Sequence, residues 1–255
     1  MISRRQFHRA SLAAAAAAAL PAASRAQSPP AVSAAPAVAE RPEARGTLRP
    51  ELYGTHGLVA AGRQFTVEAG IRLLKAGGNA FDAGAAAVFA AAASEISHFG
   101  LGGEAPVELF EARSGRVSII CGQGTAPKAA TPAFFRSLGA IPGNGPNGGT
   151  VPAVVDSMAR MLQRFGTKSL AEVLAPAIEL ADGFPVYGLL RSSLAFNREA
   201  TQIWQWARRT YYPQGRIPEV GEMFRQPNLA ATLRALAVAE QAALKNGSDR
   251  ATAIE

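Results

Sequence analysis

Gly77-Gly78-Asn79-Ala80-Phe81-Asp82-Ala83 marks the end of one helix and the start of the next. The glycine pair releases the first helix, because glycine takes the left-handed backbone at no steric cost. Asn79 is a helix-capping residue. Asp82 follows three positions later, where its carboxylate reaches back to an orphan amide and suits the positive end of the helix dipole. The helix so begun runs from Ala80 to Ser94 and is mostly alanine, with Gly84 in its first turns. A surface with so little side-chain bulk predicts close approach by neighbours and burial from several sides.

Working outward, Val67, Ile71 and Leu74 recur at helical spacing and predict a helix over 64–76 with these three on its apolar face. Gly57-Leu58-Val59-Ala60-Ala61-Gly62, an apolar run between glycines, reads as a buried strand. On the other side, a glycine turn at Gly100–Gly103 precedes two strands, 107–112 and 116–121, joined by Arg113-Ser114-Gly115. Residues 125–149 are rich in Pro, Gly and Asn and read as a surface excursion with one helical piece near 133–138. The remainder is helical. Pro152 to Phe165 carries Val155, Met158, Met161 and Leu162 on one side. Ser169 with Glu172 forms a capping box for a helix bearing Leu170, Val173 and Leu174, which Pro176 is expected to kink or restart. A last helix over 228–244 has Leu229, Leu233, Leu236 and Val238 as its apolar members. Strand, two helices, two strands and a helical array make an α+β order, and no internal repeat is visible.

A chain of 255 residues, 48% hydrophobic, is long enough for one sizeable core. Its first 26 residues hold Arg4, Arg5, Arg9 and Arg25 and no acid; without them 22 basic residues face 19 acidic ones. That near balance, with no interleaved basic and aromatic groove, excludes a nucleic-acid reading of the high pI. Ser3-Arg4-Arg5-Gln6-Phe7-His8-Arg9 ahead of the apolar Ala10–Ala23 resembles a twin-arginine export signal, with Ser24-Arg25-Ala26 before a cut after Ala26. The expectation is a periplasmic or secreted protein with no stable membrane anchor; an alanine-rich helix of a cytoplasmic protein is the alternative. Residues 27–50, with five prolines, read as a disordered linker, and the folded domain as 51–255. Cys121 is the lone cysteine and, following an apolar strand, reads as a buried small hydrophobe.

Few residues suggest chemistry. There is no His/Glu pair at metal spacing, no G-x-S-x-G elbow and no phosphate loop. His56 and His98 have neither an acid nor a nucleophile beside them in a recognisable pattern, and read as surface or capping residues. Gly100-Leu101-Gly102-Gly103 offers backbone amides to an anion, although such turns also occur for steric reasons alone.

Five landmarks in order carry a resemblance: Gly77–Ala83; Gly100–Gly103; Thr125-Ala126-Pro127; Pro176–Ala181 with Gly183-Phe184-Pro185-Val186; and Gln226-Pro227-Asn228-Leu229-Ala230 with Thr232-Leu233-Arg234. Together they resemble the large subunit of gamma-glutamyltranspeptidases over about the last three quarters of the chain. The resemblance implies an N-terminal-nucleophile hydrolase with a four-layer αββα sandwich, of which this chain supplies the first strands and most of one helical layer. It implies a precursor that cuts itself, exposing a threonine whose own amine serves as base, with no obligatory metal or organic cofactor. The nucleophile of that family opens a small subunit, beyond Glu255. Thr55-His56 resembles a cleavage site only superficially, lying ahead of the landmarks, so no catalytic residue is assigned here and the chain alone is expected to be inactive.

Two departures bear on substrate. The family places an arginine that clamps the substrate α-carboxylate just before the Ala-Pro landmark, and here Gln123 stands at that position, followed by Gly124. Glutamine lacks the charge and the bidentate fork, which puts γ-glutamyl selectivity in question and leaves other small N-acyl amides as candidates. Glu104-Ala105-Pro106 replaces further glycine, and Glu104 offers its carboxylate either to a cationic substrate group or to an ion pair within the fold. The enzyme reading therefore stands beside two others: a non-catalytic fragment or half that requires a separate small subunit, and an exported binding module using the glycine turn.

Overall fold

The computed structural model describes residues 51–143 and 145–255; the expected signal segment and linker, 1–50, lie outside them. Helix α1 (Gln64–Lys75) ends at Gly77, whose φ of 78° is the left-handed value anticipated for the release. Helix α2 (Ala80–Ser94) starts with a complete capping box. The Asn79 side chain accepts from the amides of Phe81 and Asp82, and Asp82 accepts from the Asn79 amide at 2.9 Å. Asp82 is fully buried and also receives the Thr167 amide at 2.9 Å, the Thr167 hydroxyl at 2.7 Å and the Lys168 amide at 3.1 Å. One carboxylate thus starts α2 and ties it to a loop 85 residues away.

Strands β1 (Val107–Glu111) and β2 (Arg116–Ile120) form an antiparallel hairpin, with Leu109 opposite Ser118. Helix α3 (Pro132–Ser137) sits in the long excursion, capped by Thr131. Helix α4 (Val154–Phe165) is followed by α5 (Leu170–Asp182), which opens on the Ser169–Glu172 capping box. Pro176 does not restart the helix: α5 runs through it, forfeiting one backbone bond, and its ring is buried in the core. After β3 (Phe184–Pro185) come α6 (Gly188–Phe196), α7 (Arg198–Thr201), α8 (Gln205–Tyr211), β4 (Met223–Phe224), α9 (Pro227–Lys245) and α10 (Arg250–Ile254). β3 and β4 pair antiparallel, closing a second apolar cluster around Phe184, Leu190, Tyr212 and Phe224.

The main core lies where α2 meets α1, α5 and α4, with α9 laid across α5. It contains Ala86, Phe89, Met158, Leu162, Val173, Leu174 and Leu233, and Leu109 and Ile120 of the hairpin seal it. Most of the alanine helix is buried, as its lack of bulk predicts. The fold class is α+β.

Four further expectations are corrected. Residues 57–62 carry no regular structure, because no strand beside them among the described residues supplies a ladder. The buried face of α1 consists of Thr66, Ala69, Gly70 and Leu73, not Val67, Ile71 and Leu74, which are half-buried. The rotation follows from close packing on α2: a Cβ on Gly70 would stand 3.2 Å from the Ala83 carbonyl, so small residues face the partner. On α9, Val238 is exposed and Glu240 is buried instead. The Glu240 carboxylate accepts the amides of Leu170 at 2.7 Å and Ala171 at 3.2 Å, capping α5 from another helix. Cys121 is exposed, for a reason that lies in the ladder.

Candidate functional site

The β1–β2 ladder continues beyond the strands: Ala105 donates to the Gly122 carbonyl at 2.8 Å in the same register. That register sets Pro106 opposite Cys121 and Glu104 opposite Gln123. Successive side chains alternate between faces, and exposure follows. Glu104, Pro106, Glu108 and Phe110 on one arm, and Val117, Ile119, Cys121 and Gln123 on the other, are all exposed. Leu109 and Ile120 point the other way, into the core. Cys121 falls on the open face through this parity; its apolar predecessors carry no information about which side that is.

Gln123 is held in place by its neighbours. A Cβ on Gly122 would stand 1.8 Å from the Ala105 carbonyl oxygen, and one on Gly124 would stand 1.8 Å from the Val151 carbonyl oxygen. The segment is therefore wedged between two stretches of backbone that only glycine admits, with Val151 donating to the Thr125 carbonyl at 2.9 Å on the far side. Ser157 of α4 adds a hydrogen bond to the Ala105 carbonyl at 2.9 Å. The Gln123 side chain makes no hydrogen bond among the described residues and faces outward beside Glu104. Cross-strand partners sit about 5 Å apart at Cβ, so these two side chains share one patch of the open face. An uncharged donor-acceptor beside a carboxylate suits a cationic or neutral polar group and disfavours a second carboxylate. No signal at the level of single residues links Glu104 to Gln123; only the register of the hairpin does.

Glu104 also ends the glycine turn. Gly100 to Gly103 close on themselves through the Gly103 amide and the Gly100 carbonyl at 3.0 Å, and the turn lines a cavity of about 880 Å³ against α8 and the start of α9. His98, in the same wall, is exposed, and its Nδ1 lies 2.7 Å from the Ser97 hydroxyl. His56 and Thr55 are exposed, ahead of α1, and His56 lines a different cavity, against α2. The structure therefore brings Gln123, Glu104 and the glycine turn together and leaves Thr55 and His56 outside that group. No cluster of three or more His, Cys, Asp or Glu arranged to hold a metal occurs among the described residues, and none of their helices is long and apolar enough to cross a membrane.

A helical layer packed on an antiparallel hairpin, with the segment after it held between glycines, is an α+β architecture, and similarity to known proteins identifies the family. Residues 66–248 match the gamma-glutamyltranspeptidase family, and the chain belongs to it. It is 34% identical over 203 residues to the glutathione hydrolase-like YwrD proenzyme of Bacillus subtilis, covering 78% of this chain and 38% of that protein. The acylase ACY 1 proenzyme of Pseudomonas sp. is 31% identical over 208 residues, covering 76% of this chain and 37% of that one. Among solved structures, the gamma-glutamyltranspeptidase of Helicobacter pylori superposes with a TM-score of 0.71 at 28% identity, over 74% of this chain and 56% of that one. The chain thus spans little more than a third of the length of the curated relatives it matches.

Proposed function

We propose that this chain is the large-subunit portion of an exported, self-processing amidohydrolase or acyltransferase that acts on small N-acyl amides. The nucleophilic threonine and its amine come from a small subunit that packs on the open face of the hairpin. The observation that carries the reading is the Gly122-Gln123-Gly124 segment: it is wedged between stretches of backbone that only glycine admits, and it presents Gln123 outward in the place of the resemblance's arginine. The relatives that are named as proenzymes support self-processing, and the Arg4-Arg5 segment supports export to the periplasm or beyond. With Gln123 beside Glu104, the acyl groups favoured are those without a free carboxylate at this point; γ-glutamyl transfer is the poorer fit.

The test joins the chain to the coding sequence that follows codon 255. Autocleavage into two polypeptides is expected, with faster hydrolysis of neutral or cationic acyl anilides than of γ-glutamyl anilide. Gln123→Arg should narrow or invert that preference. An uncleaved product, inert on every acyl amide tried, would overturn the proposal. The second reading, a structural half needing a separately made partner, draws on Phe110, Val117 and Ile119, which leave an apolar sheet face exposed. A monodisperse, cooperatively melting monomer of this chain alone would count against it.

A further inference from the structure

The cavity behind the glycine turn has an aromatic wall and cationic groups that the amidohydrolase reading does not use. We propose that it binds a small organic carboxylate with an apolar, aromatic or alkyl, body. Its volume of about 880 Å³ lies in the range of small-molecule sites.

Trp206 of α8 lines it and is 60% exposed, yet it is not loose. Its ring stacks on Trp204 with centroids 6.2 Å apart and meets Tyr211 edge-on at 6.0 Å. Tyr211 in turn stacks on Phe224 of the second core cluster. An ordered aromatic face left open to solvent is a surface for a planar or apolar ligand.

Arg209 and Arg225 line the same cavity. Elsewhere, Arg72, Arg191, Arg216 and Arg234 each pair with a carboxylate, and Arg250 binds the carbonyls of Leu162 and Lys168. Arg209 and Arg225 have no acid and no carbonyl partner among the described residues. Arg225 projects from a fixed segment, since the Gln226 amide donates to Ala181 at 2.8 Å and its side chain to the Ala93 carbonyl at 2.6 Å. Gln226 leads directly into α9, which lacks a side-chain cap and turns its first residues, Pro227 and Asn228, to the cavity. Two uncommitted guanidinium groups with the positive end of a 19-residue helix favour an anion. Glu104 is the sole acid in the lining. It leaves the balance cationic and argues for a monocarboxylate over a highly charged anion.

The site lies wholly within this chain, so the test needs neither self-cleavage nor turnover, and its failure is separable from that of the proposed function. The chain is titrated with 4-phenylbutyrate and, separately, with the isosteric 4-phenylbutyramide, followed by tryptophan fluorescence and calorimetry. Saturable binding of the acid is expected, at least about tenfold tighter than the amide, since charge-assisted hydrogen bonds exceed neutral ones. Arg209→Gln with Arg225→Gln, both exposed positions, should erase that preference without changing the melting curve, while Arg209→Lys with Arg225→Lys keeps part of it. Trp206→Ala should weaken acid and amide alike. Absence of saturable binding, equal affinity for acid and amide, or an acid preference that survives the double glutamine variant overturns the proposal.

Discussion

Replacing Asp82 by Asn tests the principal joint of the fold. The carboxylate is fully buried and accepts from the amides of Asn79, Thr167 and Lys168 and from the Thr167 hydroxyl. Asparagine keeps the shape but has a single acceptor oxygen, so its NH2 group must face at least one backbone amide. Each surviving bond falls from about 1.5–3 to about 1 kcal/mol on loss of charge, and an unmatched buried amide costs about 1–3 kcal/mol. The expected destabilisation is therefore about 2 kcal/mol or more, a large share of a typical domain's stability. Urea unfolding of the chain measures it. The pH dependence is a second readout. Burial pushes the Asp82 carboxyl up, but the hydrogen bonds from Thr167, Asn79 and Lys168 outweigh burial and hold it below its ordinary value. A carboxyl depressed in the folded state stabilises fully above its unfolded pKa of about 3.9 and loses that contribution as pH falls through the folded value. The gap between parent and variant should thus be widest near neutrality and shrink in acid. A variant within about 1 kcal/mol of the parent, or a gap unchanged down to roughly pH 3, would refute the reasoning.

Gly122→Ala should cost about 2 kcal/mol or more and speed amide exchange at Ala105, because its Cβ meets the Ala105 carbonyl oxygen and forces the ladder apart; unchanged exchange would count against the wedge that presents Gln123. Glu240→Ala leaves the Leu170 and Ala171 amides uncapped and should destabilise by about 2–4 kcal/mol in urea, whereas the exposed Val238→Ala should be nearly neutral. The paired Arg216 guanidinium and the Glu219 amide hold the Glu222 carboxyl down to about 2, so NMR titration should find its midpoint well below the ordinary glutamate value and Arg216→Ala should raise it.

How much of this was legible depends on the range of the interaction. The caps at Asn79 and Ser169, the release at Gly77, the hairpin turn at Arg113-Ser114-Gly115 and the limits of α4 and α9 were all readable, because each is decided by backbone hydrogen bonds and φ preferences within about four residues. The family was readable for the same reason: its landmarks are caps, turns and close approaches. Gln123 could be named as a position that departs from the family's arginine. Its partner could not, since Glu104 meets it only through strand register, and one residue of slip would turn both side chains to the other face. Likewise, hydrophobic period alone suggested Val67, Ile71 and Leu74 as the packed face of α1. The close approach of Gly70 to α2 chose another, and a carboxylate in the core at Glu240 made sense only once the first amides of α5 lay beside it. By itself the sequence determined the caps, glycine releases and turns that bound most of the main elements, and which family they build, because those are local free energies. Tertiary structure alone decided which faces turn inward, which side chains share the open strand face, and that Trp206, Arg209 and Arg225 converge on the glycine turn, because those depend on contacts between residues distant along the chain.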